Sequence, residues 1–496
     1  MNEPIPNPPT IVWTEQKLRN IFALSSDVKV HSYRFGPHNE PSDVVLVYTE
    51  GLCNNEAIGR TILPSLHQAY QQTKFADIGS NRLFGLLPLI PFEGQTEIDN
   101  ITISVFQGNL VLLFPDQGEL FRIDIGSRPE RNPEESSTEI SIKGPKDGFI
   151  EDIAVNVALI RKRIRSDTLC YETTLLGRRT KTKIGLLYIR DIISPKILSE
   201  VRSRLDKIDV DGIYSVSQLE EALSDAKYSL FPLFDNTGRP DYAVASLLAG
   251  RFVIIVDGIP LVLIGPSNFA LLLKSPEDIH FTYQYTTFSR LIRLTSFLIA
   301  IYLPGFWVAL SAFHQDQIPF RLMATIAVAR LGLPLSAQME MFLLLVMLEI
   351  FREAGVRLPS SIGQTLTVVG GLIIGDAAIR VGLVSPSVVV VGALTAVAGA
   401  TLVNQTLSTV VSVIRLTIFL LCSMIGMYGL ILSMILLTFY MSRLHSFGVP
   451  YLAPLSPPIF KDMLSAFLRI PWSKRRTRPV TLHTTDSDHY SKEEEP

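Results

Sequence analysis

Two apolar patterns divide the chain. Up to about Arg293, apolar residues come in short runs between charged ones, whereas from Leu294 to Ser442 they dominate. In the front part, a short helical piece over 15–24 follows a proline-rich start. Residues 43–48 (DVVLVY) predict a buried strand and 58–72 a helix. Two β-rich runs, 101–106 and 110–114, flank Gln107-Gly108-Asn109 as a hairpin, and 121–125 add a strand. The polar stretch 127–137 (SRPERNPEESS) is a linker. A helix over 153–165 follows, and its terminal basic cluster, Arg161, Lys162, Arg163 and Arg165, suits the helix dipole. Residues 183–190 predict a strand, and 195–207 and 216–226 predict helices. Pro240 and Asp241 suit a helix's first turn, and Gly250 its stop. The β-branched runs 252–256 and 261–264 flank Asp257-Gly258 as a hairpin.

The second half reads differently. Residues 294–313 are 20 positions without a charge, and 416–442 are 27. A membrane-spanning helix needs about 20 apolar residues. Residues 337–351 and 388–403 predict two further spans, 362–379 a partial one, and 320–335 an interfacial or re-entrant helix. Arg290 and Arg293 precede the first span; Arg443, Lys474, Arg475, Arg476 and Arg478 follow the last. By the positive-inside rule these flanks put both chain ends in the cytoplasm. The fold class expected is an α/β cytoplasmic N-terminal region of two small subdomains plus an α-helical transmembrane bundle. Its parts are a leader (1–36), a first α/β subdomain (37–145), a second (146–285), a transmembrane helical domain (286–445) and a cytoplasmic tail (446–496). The tail from Pro479 is polar and reads as disordered.

Net charge, −2 over 496 residues, averages the two halves and changes little. The start, MNEPIPNPPT, lacks the basic and apolar regions of a signal peptide, so the front part is expected inside. Cys53, Cys170 and Cys422 are too scattered for a disulfide framework or a metal site. The basic cluster at 161–165 has no aromatic platform, which argues against nucleic acid. No phosphate loop, metal cluster or nucleophile triad stands out, so neither enzyme activity nor a cofactor is expected.

Candidate chemistry lies among ionisable groups in apolar sequence, which normally face protein or water. Asp376 and Arg380, four apart, can pair on one helix face. Glu340 and Glu349 lack an obvious base within their apolar run and are ion-pathway candidates. Asn404 and Gln405, after a span, can line a polar mouth or simply hydrogen-bond within the bundle. Two small-residue stripes, Gly371–Gly375 and Gly392–Ala396–Ala400, let helix backbones approach, within one chain or between copies.

Several longer motifs occur in one order: GPKDGFIE at 144–151, NTGRPD at 236–241, GRFVIIVDGIPLVLIGP at 250–266, LPGFWVAL at 303–310, FREAGVRLP through GLVSP at 351–386, and FGVPYLAPLSP at 447–457. By these the chain resembles the A subunits of bacterial spore germination receptors, the GerA family, with Arg239, Pro240, Asp241, Asp257 and Gly258 inside the motifs. The resemblance implies a spore inner-membrane protein acting with a transporter-like B subunit and a lipoprotein C subunit to sense small nutrients. It implies a homo-oligomer, a pentamer, that releases cations when triggered. Many members have Glu where this chain has Gly238, which leaves open an accessory paralogue that amplifies germination. A non-conducting scaffold is the other alternative.

Overall fold

The computed structural model describes residues 13–37, 41–75, 87–92, 98–126, 139, 141–357, 376–471 and 477–488. The chain divides into two compact units, one of residues 1–224, 236–266 and 476–496, the other of 225–235 and 267–475. The boundary at 266/267 replaces the expected one at 285.

In the first unit, helix α1 (Glu15–Ile21) precedes strands β1 (Val28–Phe35) and β2 (Ser42–Thr49). A π-helical turn (Ile58–Ile62) leads into α2 (Leu63–Thr73). Strand β3 (Ile90–Pro91), α3 (Ile98–Phe106), β4 (Asn109–Phe114) and β5 (Glu119–Asp124) follow. The sheet order is β1-β2-β4-β5-β3. Alternate residues of β2 face two separate cores, Val44 and Leu46 into one, Val45 and Val47 into the other. Burial on both faces is why this strand reads as an unbroken apolar run.

Two corrections fall here. The leader does not end at 36 as a loose segment, because β1 pairs with β2 along its whole length. Residues 101–106 are helical, not a strand. Their β-branched side chains suggested a strand, but Ile101, Thr102, Val105 and Phe106 are buried at helical spacing. Packing there overrides intrinsic preference.

The second sheet repeats the first. Helix α4 (Ile153–Arg161), β6 (Leu169–Leu176), β7 (Thr182–Ile189), α5 (Pro195–Asp206), α6 (Val216–Leu223), β8 (Asp235–Thr237), α7 (Pro240–Leu248), β9 (Phe252–Val256) and β10 (Val262–Gly265) succeed one another. The order β6-β7-β9-β10-β8 matches the first sheet position for position. Gly108 and Gly250 end equivalent helices with φ of 92° and 96°. Strand β6 was not expected from sequence. The segment 477–488 is ordered and belongs to this unit, contrary to the expected disordered tail. Arg478 Nε donates to Leu248 O at 3.0 Å, and the Thr485 N–H donates to Ile192 O at 3.0 Å.

The second unit holds α8 (Tyr283–Val308, extended by a π-turn to Phe313), α9 (Phe320–Ala329), α10 (Ala337–Arg357), α11 (Pro386–Ala400) and α12 (Gln405–Arg443). Among the described residues, two helical stretches, Tyr283–Phe313 and Gln405–Arg443, are long and apolar enough to cross a membrane. Alpha12 is not one straight rod. Gly426 has φ 60° and ψ −139°, a non-helical break. A Cβ at Gly429 would stand 2.7 Å from Leu421 O, eight positions back. In a straight helix those positions are about 12 Å apart along the axis. Asn404, before the segment, bonds Asp235; Ser446, after it, bonds Leu233 O at 2.7 Å. Positions 233 and 235 are at most about 7 Å apart. A straight helix of this length would separate its ends by about 58 Å. Alpha12 is therefore a hairpin of two arms, 405–425 and 427–443, where a single span was expected.

The other helices take their direction from the first arm. Gly305 of α8 packs on Ile418 and Cys422, and Phe313 on Gly426, so α8 runs with it. Alpha10 runs against it: Phe342 stacks on Phe419 at 6.3 Å, and Arg352 reaches Ser408 O. Val308, Met341, Leu344, Val388 and Phe419 meet in the centre.

Candidate functional site

The expected ion-pathway carboxylates both have partners. Glu340, in the first turn of α10, is fully buried. Its Oε2 accepts the Ser385 N–H at 2.9 Å, and Ser385 caps α11, so the carboxylate sits at a helix N-terminus. Its Oε1 lies 3.5 Å from Arg330 Nε, an ion pair without a hydrogen bond. Glu349 Oε1 pairs with Arg352 and Oε2 with Arg415 Nη2 at 3.1 Å. Their bases come from outside that apolar run: Arg330 follows α9, Arg352 lies near the end of α10, and Arg415 is on the first arm of α12.

Glu349 and Arg415 line a cavity of about 580 Å³ between α10 and that arm, with Leu345, Val346, Ile350 and Leu416 among its walls. The Arg415 side chain is only 9% exposed. Asp376 and Arg380 form the expected pair, at 2.8 Å, on an exposed surface of the chain.

Asn404 caps α12. Its Oδ1 accepts the Leu407 N–H at 2.9 Å, and its Nδ2 donates to Asp235 at 2.8 Å. Gln405 is exposed beside it. Gly371 and Gly375 lie outside the described residues. Gly392 packs within the chain, since a Cβ there would meet Leu344 at 2.3 Å. The buried face of α11 is Val388, Val391, Gly392, Thr395 and Ala398, while Ala396 is half-buried and Ala400 exposed.

Sequence reasoning missed one ionic hub. Asp278 is buried and holds Arg290 Nε at 2.8 Å and Arg293 through its other oxygen, at the foot of α8. The two arginines were read only as a basic flank.

The motif residues meet at one end of the second sheet. Arg239, buried, forks onto Asp241 at 3.1 and 2.7 Å while Pro240 opens α7. The Phe149 N–H donates to Gly238 O at 2.8 Å, joining GPKDGFIE to NTGRPD. Asp257 Oδ1 accepts the Ile153 N–H at 3.3 Å, and the Gly258 N–H donates to Glu151 O at 2.8 Å. These groups cap helices and lock turns.

The Bacillus/Clostridium GerA spore germination protein family model matches residues 16–481. The chain belongs to this family. Among GerA relatives, it is 40% identical to spore germination protein XA of Bacillus anthracis over 481 residues, 96% of this chain and 97% of that one. It is 34% identical to spore germination protein KA of Bacillus subtilis, over 95% of this chain and 86% of that one. The crystal structure of the N-terminal domain of the A subunit of the Bacillus megaterium spore germinant receptor GerK3 matches at 28% identity. It covers 51% of this chain and 93% of that one, with a TM-score of 0.37. Membership in the GerA family supports a role in germination.

Proposed function

We propose that this chain is the A-type membrane subunit of a nutrient germinant receptor in the spore inner membrane, with both ends cytoplasmic. In this reading, copies assemble into a ring that releases cations when triggered, alongside a transporter-like B subunit and a lipoprotein C subunit. It catalyses no reaction. The observation that carries it is the outer face of α12. On its second arm Tyr428, Ile431, Ile435 and Phe439 are all exposed, a stripe suited to lipid or to neighbouring copies. One such bundle is too small to enclose a pathway, so conduction requires a symmetric ring. The purified full-length chain, reconstituted in liposomes, is expected to have the mass of an oligomer and to pass potassium. A monomer without flux refutes the reading.

The pairing of both Glu340 and Glu349 favours a second reading, a non-conducting scaffold, whether in a receptor or as an accessory paralogue. Replacing each by Gln separates the two. Lost assembly with unchanged ion release supports the scaffold.

A further inference from the structure

We propose that the groove between α10 and the first arm of α12 binds an amphiphilic monoanion, a carboxylate on an apolar body. The site does not depend on whether the chain conducts. Two features point to a ligand. The first is the cavity itself; about 580 Å³ falls within the usual size of small-molecule pockets, and most of its wall is aliphatic. The second is Arg415, nine-tenths buried, about 15 Å along its arm from Gln405. Its Nη2 serves Glu349 and Ser412, while Nε and Nη1 have no acceptor among the described residues. Glu349 is already shared with Arg352. An anion in the groove would complete the hydrogen bonding of this guanidinium with charge-assisted bonds. Ser412 and a second carboxylate, Glu353, also line the groove, so the apolar body of such a molecule would lie along Leu345, Val346, Ile350 and Leu416. A neutral amphiphile would fill the space and leave those donors idle.

The test uses the full-length chain in phosphatidylcholine nanodiscs, with calorimetric titration of octanoate, butyrate and octanol against empty discs. Octanoate is expected to bind saturably, one per chain, at least tenfold more tightly than octanol. Arg415→Gln should weaken octanoate at least tenfold. Because that change also strips Glu349 of a partner, Val346→Phe provides a second arm: it fills the groove, keeps the ion pair, and should abolish binding with an unchanged circular dichroism spectrum. Butyrate binding as tightly as octanoate assigns the site to a small soluble acid; a steep gain with chain length assigns it to an acid from the lipid phase. No saturable octanoate binding, equal affinity for octanol, or retention by either variant overturns the proposal.

Discussion

Arg161 has no exposed surface and carries a full charge at the end of α4. Its Nε and Nη2 fork onto Asp27 at 2.9 and 3.1 Å, Nη1 serves Leu169 O, and the guanidinium lies 3.9 Å from the Phe106 ring centre. Replacing Arg161 by Ala strands a buried carboxylate and is expected to cost about 3–5 kcal/mol. Arg161→Met combined with Asp27→Leu should recover most of it. Chemical denaturation of the full-length chain in detergent measures both. Nothing in the sequence announced this pair, because its members are 134 positions apart. The same holds for Glu349 and Arg415, 66 apart. Asp376 and Arg380 were legible because a helix sets four-residue neighbours side by side. The scattered cysteines were legible too: burial pushes the Cys53 thiol up to about 11, the behaviour of a small core residue rather than a reactive one.

Helices and strands with one clean period were readable, among them α2, α5, α7 and the β9–β10 pair. Alpha3 was not, because six residues cannot separate a β-branched helix from a strand. The fold of α12 was hidden for another reason. Its turn is a glycine inside an unbroken apolar run, so no polar residue marks the reversal. That hairpin makes a sharp forecast. Single cysteines at Gln405 and Arg443, in a background lacking the native three, should react with an impermeant reagent from the same side of a sealed vesicle. A straight helix would place them on opposite sides. Gly426→Val should abolish the shared sidedness or the fold. Its φ of 60° and ψ of −139° fall outside the conformations open to a branched residue, a cost of about 1–3 kcal/mol, and a Cβ would stand 2.9 Å from the Phe313 ring.

At the scale of the molecule, composition separated the apolar half from the mixed half but not the threading between them. Residues 225–235 leave the first unit for the second, and the chain's last described stretch returns to the first. Ending the chain at Arg475 removes Arg478 from Leu248 and uncovers Gly250, which packs on Thr484. The truncated protein is expected to enter membranes normally yet be cut faster by protease within α7, read by mass spectrometry of the fragments. A protein built this way has an order of manufacture. The ribosome makes the front unit's closing piece only after the described apolar helices, so that unit cannot finish folding until the apolar half has been synthesised.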